Sequence, residues 1–300
     1  MTTIERRTLL KKLEEMTETV KTDPFEANKL LDKVFGEKEI HREPSKKIEF
    51  LDHGFVELID MMGDDYRILQ SARVSTGGNA SKTDKADRGL IRYLYKNKHM
   101  TPFEQVVLTF HAKVPNFVMK QYLRHRTFST NEYSQRYSPV IEDFYTPEDW
   151  RIQGLTNHQG SGDTFEPFEN FNITLEYEEA MDLALYNYEV MISRGVAKEM
   201  ARMVIPSSIY TEFYFTVDLR NLLHFLELRL HEHAQHEIRV FAQAILYILN
   251  EKEELKWTME IFKEMTELNW KVQEMLSKKI KPKVILDLLE NFQNENRMVK

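Results

Sequence analysis

Residues 123–138 read LRHRTFSTNEYSQRYS and combine three arginines with a histidine, a carboxylate, amides and hydroxyls in one short segment. A planar guanidinium group matches a phosphate or a ring carbonyl, and amide or carboxylate side chains can bind the imide and amino edges of a heterocycle. We therefore expect this segment to bind an anionic heterocycle such as a nucleotide. The alternative is a solvated, charged turn that forms only surface ion pairs.

The whole chain is acidic although this segment is basic. It has 300 residues with a net charge of −7, and hydrophobic residues make up 42% of it, enough for a sizeable core. A protein that binds nucleic acid in bulk usually presents a basic face, which this balance does not favour. A cluster around Arg124, Arg126 and Arg136 remains compatible with one bound phosphate.

The sequence contains no cysteine. This excludes a disulfide, a thiolate zinc site and a cysteine nucleophile. The sequence also has no run of about 18 apolar residues and no apolar segment near its N-terminus, so we predict no membrane span, no secretory signal and a cytoplasmic location.

The hydrophobic pattern predicts an α+β chain with more helix than strand. Apolar residues alternate over 106–114 and 209–217, which is typical of half-buried strands, and a third strand is predicted over 50–61. Helical spacing predicts helices from Asp64 or Asp65 to Arg73, over 84–96, from Pro115 to the Arg124 region, over 173–195 and over 219–230. On the last helix, Phe225, Arg229 and His233 are expected to share a face. Residues 127–137 are predicted to be loop and short strand, and 146–170 a loop or insertion.

Five ordered segments carry a family resemblance. Arg124-His125-Arg126 is followed after seven residues by Ser134, and the others are 73–75 (RVS), 99–104 (HMTPFE), 199–202 (EMAR) and 228–235 (LRLHEHAQ). Over about residues 48–255 the chain resembles the flavin-dependent thymidylate synthases. We accordingly predict a helical N-terminal extension and linker (1–47), a catalytic FAD- and dUMP-binding domain (48–255) and a helical C-terminal extension (256–300). The first is interpreted as a packing or assembly arm.

The resemblance implies a fold, a reaction and an assembly. The fold would be a central mixed or antiparallel sheet flanked by long helices. The reaction would be the reductive methylation of dUMP to dTMP, with FAD as cofactor and NADPH and 5,10-methylenetetrahydrofolate as co-substrates. It needs no protein thiolate, which agrees with the absence of cysteine. The resemblance also implies a homotetramer whose active sites are shared between subunits.

The resemblance assigns roles to particular residues. Catalytic roles fall to Arg229, Ser134 and His99. Binding of dUMP falls to Gln121, Arg124, Glu132, Ser134, Gln135, Arg136, Arg202 and Arg229. Binding of FAD falls to Ser75, Thr101, Glu104, Arg124, His125, Arg126, Asn131, Glu132, Asp218, Arg220, His224 and His233.

Several of these roles have alternatives. Arg229 is expected to bond and polarise the uracil ring, but a surface arginine paired with Glu227 or Glu232 is the alternative. Ser134 lacks an obvious base at motif spacing, so we interpret it as a donor to the substrate or its phosphate rather than a nucleophile. His99 is expected near flavin and folate, although a capping or core histidine is the alternative. Tyr137 is a candidate for stacking on the pterin or the substrate.

Three features qualify the cofactor assignments. Asp218 and His224 stand where asparagine is common in the family. The chain lacks a G-x-G-x-x-G fingerprint, so arginine and histidine side chains would have to bind the FAD diphosphate. The run over 231–237 (HEHAQHE) fails H-E-x-x-H because Gln235 replaces the second histidine, and we predict no metal.

Two other classes of protein remain open from sequence. One is a nucleotide-binding module that has lost catalysis. The other is a helical structural or RNA-binding protein whose arginines contact backbone phosphate.

Overall fold

The computed structural model describes residues 47–75, 77, 83–154, 161–231 and 233–266. The chain divides after Pro44, and all described residues belong to the unit Ser45–Lys300. The extension predicted over 1–47 therefore lies outside the described residues except for Lys47, which begins the first strand. The same holds for 267–300 of the predicted C-terminal extension.

The centre of the fold is a five-stranded antiparallel sheet. Its strands lie in the order β1-β2-β3-β7-β4, and every pairing between neighbours is antiparallel. The strands are β1 (Lys47–Phe50), β2 (Gly54–Met62), β3 (Val107–Pro115), β4 (Ser129–Glu132) and β7 (Tyr210–Asp218). A separate two-stranded sheet pairs β5 (Arg151–Gln153) with β6 (Ser161–Thr164).

The alternation read from the sequence is confirmed in β3 and β7. Leu108, Phe110 and their alternate neighbours in β3 are buried, as are Phe213, Phe215 and Val217 in β7. Phe110 and Phe215 face each other across the two strands, and their ring centroids lie 5.0 Å apart in a stacked arrangement. One face of the sheet is therefore the base of the hydrophobic core.

The strand predicted over 50–61 is confirmed from Gly54 onward as β2, but its start is wrong, because Phe50 ends β1 and residues 51–53 form the turn of a β-hairpin. Leu51 has φ 55°, a left-handed conformation that breaks the strand. Gly54 starts β2 so close to β1 that a Cβ would lie 2.8 Å from the carbonyl oxygen of Phe50. The apolar pattern continues across the turn and hides it.

Eight α-helices lie in the described part of the chain. They are α1 (Asp65–Val74), α2 (Asp84–Lys96), α3 (Asn116–Tyr122), α4 (Pro167–Ser193), α5 (Lys198–Ala201), α6 (Leu219–Arg229), α7 (His236–Asn250) and α8 (Lys256–Met265). Asp64 caps α1 as predicted, since its side chain accepts the N–H of Arg67 at 2.7 Å. Pro115 ends β3 and precedes α3 instead of opening it.

Helix α7 covers the sheet and is buried on nearly all sides. Its apolar residues from Ile238 to Leu249 lie in the core. Phe241 packs against Phe50 and Phe215, with ring centroids 5.7 Å and 6.3 Å apart. This helix holds β1 and β7 to one core.

Helix α4 is different, because its 27 residues bury only Tyr188 in the single chain. It exposes large apolar side chains, namely Phe168, Phe171, Leu175, Leu183 and Tyr186. It ends where predicted, at Gly195, which has φ 84°. Among the described residues no helix is long and apolar enough to cross a membrane.

Candidate active site

The candidate site lies where two chain segments meet at the ends of α3 and α6. After α3 the chain turns tightly, and the N–H of His125 donates to the Tyr122 carbonyl at 2.9 Å. The second segment is β7, which runs directly into α6 and so carries Arg229 to the end of that helix. The sheet therefore brings residues about a hundred positions apart into contact.

We call Gln121, His125, His224 and Arg229 the Arg229 cluster. The Nε of Arg229 donates to Nε2 of His125 at 3.1 Å, and its Nη2 donates to the backbone carbonyl of Gln121 at 3.3 Å. The His125 ring also lies edge-on to Phe225 at 4.9 Å and to His224 at 6.4 Å. The guanidinium of Arg229 is thus held in a defined orientation.

The cluster keeps His125 neutral. Burial first, and then the charges of Arg229 and His224, lower the pKa of His125 to about 4. At neutral pH its Nε2 is therefore an acceptor, as the bond from Arg229 requires. Burial also lowers the pKa of Arg229, but an arginine stays charged at neutral pH.

No described carboxylate forms an ion pair with Arg229. The structure gives it a neutral imidazole and a backbone carbonyl as partners. The alternative role for Arg229 was a surface ion pair with Glu227 or Glu232. The pair with Glu227 is not observed, and Glu232 lies outside the described residues. Among the described residues the cation is thus oriented by neutral partners, which suits a donor aimed at a ligand carbonyl.

A second group combines Arg136, Arg202 and Ser134 around Glu199. Nη2 of Arg136 lies 3.3 Å from the Glu199 carboxylate, and Nε of Arg202 donates to the Glu199 carbonyl at 3.3 Å. The Ser134 hydroxyl accepts the N–H of Arg136 at 3.3 Å, within a turn that also includes Gln135. Both guanidiniums are exposed, so they can bind an anion.

A third group lies at the start of α6. Arg220 forms an ion pair with Glu104, which belongs to the 3-10 helix Thr101–Gln105. The Asp218 side chain caps α6, accepting the N–H of Asn221 at 3.0 Å and its Nδ2 at 2.6 Å. An asparagine can accept the same N–H, which explains why either residue suits this position.

The remaining predicted site residues make contacts outside these three groups. The Glu132 carboxylate accepts the Thr211 hydroxyl at 2.7 Å, and Asn131 pairs with Tyr214 across β4 and β7. The Ser75 hydroxyl donates to the Ala72 carbonyl at 2.8 Å. The side chains of Arg124 and Arg126 are exposed in the turn after α3.

His99 is exposed, which excludes the alternative of a core histidine. Its backbone N–H donates to the Leu94 carbonyl at 2.9 Å and closes α2, while Lys98 adopts φ 58°. The imidazole stands edge-on to the Tyr93 ring at 5.9 Å. The turn thus displays this ring to solvent.

His233 does not share a helix face with Phe225 and Arg229, contrary to expectation. Helix α6 ends at Arg229 and α7 begins at His236, so His233 lies in the turn between them. The N–H of Ala234 donates to the His231 carbonyl at 2.9 Å, and the N–H of His233 donates to Nδ1 of His231 at 3.2 Å. These local bonds replace the helical ones.

Sequence reasoning missed a chain of polar side chains behind the Arg229 cluster, which runs from Gln121 through the exposed Gln235 to the buried Glu237. Nε2 of Gln121 donates to Oε1 of Gln235 at 2.5 Å, and Nε2 of Gln235 donates to Oε2 of Glu237 at 2.8 Å. Arg151 and Tyr145 donate to the other oxygen of Glu237 at 2.7 Å and 3.1 Å. Arg151 lies in β5, within the segment 146–170 that was predicted to be a loop or insertion. The sequence signal that could have indicated this chain is Glu237, an acidic residue in the first turn of the mostly apolar helix α7.

The donor set fits a flavin nucleotide better than a metal. Within the described ranges no group of three or more histidine, aspartate or glutamate side chains could hold a metal ion. The arginine, histidine and glutamine side chains of the Arg229 cluster, together with Arg220, supply donors for a diphosphate and ring carbonyls.

Comparison with known proteins gives concordant matches. A family model described as "Thymidylate synthase complementing protein" matches residues 57–253. A flavin-dependent thymidylate synthase of Thermus thermophilus is 48% identical over 210 residues, covering 70% of this chain and 76% of the relative. One from Wolbachia pipientis is 45% identical over 201 residues, covering 66% and 70%.

A solved structure shows the same likeness. It is a UMP/dUMP methylase, PolB, from Streptomyces cacaoi, bound with 5-Br dUMP. The match has a TM-score of 0.66 and 32% sequence identity, and it covers 72% of this chain and 97% of that one.

Proposed function

The chain belongs to the flavin-dependent thymidylate synthase family, and we propose from that membership and from the Arg229 cluster which of its residues bind each ligand. It is an FAD-dependent methyltransferase that converts dUMP to dTMP, with NADPH and 5,10-methylenetetrahydrofolate as co-substrates. Bound FAD, reduced by NADPH, supplies the hydride that completes the new methyl group. The α+β fold with its antiparallel sheet agrees with this family.

The observation that carries the dUMP assignment is the orientation of Arg229 by His125 and Gln121, with no carboxylate partner among the described residues. We propose that Arg229 donates to a carbonyl of the uracil ring. When hydride adds to the conjugated double bond of the ring, the electron pair of that bond moves toward this oxygen, so a fixed cation stabilises the transition state more than the ground state.

We propose that the dUMP phosphate binds at the group around Glu199. Arg136 and Arg202 supply charge, and Ser134 and Gln135 supply hydrogen bonds. The remaining dUMP contacts are proposed for Gln121, Arg124 and Glu132. Ser134 acts here as a donor, because its hydroxyl is engaged with the N–H of Arg136 rather than with a base.

FAD is proposed to lie along the third group and the turn after α3. Arg220, placed by the Asp218 cap and paired with Glu104, would bind its anionic part. The other proposed contacts are Ser75, Thr101, Arg124, His125, Arg126, Asn131, Glu132, His224 and His233. Asp218 is proposed to contribute mainly by placing Arg220, since both its oxygens serve the cap.

The folate co-substrate is proposed to bind beside His99 and Tyr137. Both side chains are exposed, and the Tyr137 ring is 76% exposed although it is a large aromatic. Aromatic rings that a protein leaves in solvent beside a site are suited to stacking on a flat heterocycle.

We also propose that the protein is a homotetramer with active sites shared between subunits. Helix α4 supports this, because it buries one side chain of its 27 residues and, in the described part of the chain, leaves large apolar side chains such as Phe168, Phe171 and Leu183 exposed. Residues 48–255 are proposed to form the catalytic domain.

The reaction is tested by incubating the full-length protein with FAD, NADPH, dUMP and methylenetetrahydrofolate and measuring dTMP by chromatography. We expect dTMP that requires both flavin and reductant. Bound FAD and dUMP without dTMP would instead indicate a nucleotide-binding protein that has lost catalysis. Salt-dependent RNA binding without dUMP binding would favour the structural alternative.

A further inference from the structure

Glu237 is a buried carboxylate that has no part in the function proposed above. Its side chain is 2% exposed and lies in the first turn of α7. Three donors surround it: Nη2 of Arg151 at 2.7 Å and the hydroxyl of Tyr145 at 3.1 Å reach Oε1, and Nε2 of Gln235 at 2.8 Å reaches Oε2. A buried carboxylate so fully bonded has one fixed orientation.

The carboxylate is ionised. Burial alone would raise the pKa of Glu237, but the hydrogen bond and charge of Arg151 outweigh burial and leave the pKa below its ordinary value. An ionised carboxylate can only accept hydrogen bonds. Gln235 must therefore turn its NH₂ group toward Glu237 and its carbonyl oxygen away.

This orientation passes to a second amide. The carbonyl oxygen of Gln235 faces the side chain of Gln121 at 2.5 Å, so Gln121 must donate with its Nε2. Flipping either amide would place two NH₂ groups or two oxygens face to face. The group left over on Gln121 is its Oε1, which no donor reaches within the described part of the chain.

We propose that Glu237 is a positioning residue that makes Gln121 present a carbonyl oxygen to the pyrimidine ring and thereby selects uracil over cytosine. Uracil carries an N–H between its two ring carbonyls, whereas cytosine has a bare acceptor nitrogen at that place. An acceptor on Gln121 bonds the first ring and opposes the second. This inference rests on the proposed function, because it takes Gln121 to lie at the dUMP site.

The backbone of Gln121 supports the same role. Its carbonyl accepts from Nη2 of Arg229 at 3.3 Å, so side chain and main chain of one residue serve the site together. A site whose polar groups match a substrate N–H discriminates strongly against an analogue that lacks it, because the protein group is then left unpaired.

The test compares equilibrium binding of dUMP and dCMP to the full-length, FAD-loaded protein by calorimetric competition. In Gln235→Leu the Gln121 amide loses its orienting partner. We expect dUMP to bind roughly three- to tenfold more weakly and the dUMP/dCMP affinity ratio to fall by at least as much. Gln235 is exposed, so this variant should keep the wild-type melting temperature.

A paired substitution supplies the control. We call the hydrogen-bonded series Glu237–Gln235–Gln121 the relay. In Glu237→Gln alone, the new amide can donate to Gln235, so both glutamine amides can flip and Gln121 can present its NH₂ group. The dUMP/dCMP affinity ratio should then fall as in Gln235→Leu. The double variant Gln235→Glu with Glu237→Gln moves the carboxylate one step nearer to Gln121, which again must donate from Nε2. The double variant should therefore recover the wild-type ratio, which a purely structural role of Glu237 does not predict.

Two outcomes would overturn the relay: a wild-type protein that binds dCMP as tightly as dUMP, or a Gln235→Leu variant that keeps the wild-type ratio. Gln121→Ala tests the premise separately. If that variant binds dUMP as tightly as wild type, the placement of Gln121 at the nucleotide fails. If it binds weakly while Gln235→Leu keeps its selectivity, only the relay fails.

Discussion

At the scale of single residues, the sequence identified the chemical groups but not their partners. The Arg124-His125-Arg126 triplet and Arg229 were both assigned from sequence, and the structure joins them through one bond from Arg229 to His125. That bond needs a neutral histidine, and burial together with the charges of Arg229 and His224 lowers the pKa of His125 to about 4. A pKa set by three-dimensional burial cannot be read from a linear motif.

Replacing Arg229 tests its proposed role. Arg229→Ala should lower the turnover number for dTMP formation at least about a hundredfold, because it removes the fixed cation at the developing oxyanion. Circular dichroism and the melting temperature should stay close to wild type, since the guanidinium is only half-buried. The rate of dTMP formation at saturating dUMP is the measurement.

Two further variants serve as a conservative substitution and a control for Arg229→Ala. Arg229→Lys keeps the charge but loses the fork and should recover only part of the rate. Arg194→Ala, at an exposed arginine after α4, should leave the rate unchanged. Full turnover in Arg229→Ala would refute the assignment.

At the scale of helices and strands, periodicity located most elements but missed interruptions. The strands of the central pair, the 84–96 helix and the long helix ending at Gly195 were predictable because burial of one face imposes a period on the sequence. The hairpin turn at Leu51 and the end of α6 before His233 were not, since both are decided by local backbone geometry within apolar or helix-forming sequence.

One contact between helices predicts a pH dependence of stability. Asp65, in the first turn of α1, is buried and accepts from the N–H of Trp257 at 2.7 Å and the hydroxyl of Thr258 at 2.5 Å, so it caps α8 from a distant part of the chain. Burial raises its pKa from 3.8 to about 6, against the lowering effect of these hydrogen bonds.

Proton linkage gives the direction in which the unfolding free energy changes with pH. The folded state binds this proton more tightly than the unfolded state does, so the contribution of Asp65 to stability is fullest below pH 3.8 and declines until about pH 6. Asp65→Asn keeps an acceptor and carries no charge. Relative to wild type, the variant should gain up to about 3 kcal/mol of unfolding free energy between pH 4 and pH 7.

Urea denaturation at a series of pH values measures this difference directly. Subtracting the two stability curves cancels the other titrating groups. A difference that stays constant from pH 4 to pH 7 would contradict the expected linkage.

At the scale of the whole molecule, the exposed apolar face of α4 predicts assembly. We expect light scattering after size exclusion to give four times the 35.8 kDa mass of the single chain. Phe171→Glu with Leu175→Glu places charges one turn apart on that face and should lower both the mass and the dTMP-forming rate. Glu179→Gln, also on α4, is the matched control.

A wild-type protein that is monomeric at micromolar concentration would contradict this prediction. So would a double variant with unchanged mass. Composition alone could not reveal this face, because the apolar residues of α4 resemble those of a core helix until the described part of the fold shows that many of them are exposed.

The bond between Arg229 and His125 joins residues 104 positions apart, and its consequence reaches back to synthesis on the ribosome. At about 5–20 residues per second, roughly 5–20 s separate the appearance of the two partners. During that interval the Arg124-His125-Arg126 triplet belongs to a nascent chain that does not yet contain Arg229. The proposed dUMP site therefore cannot be completed until Arg229 has been synthesised, and a message truncated before codon 229 yields a chain that lacks this bond.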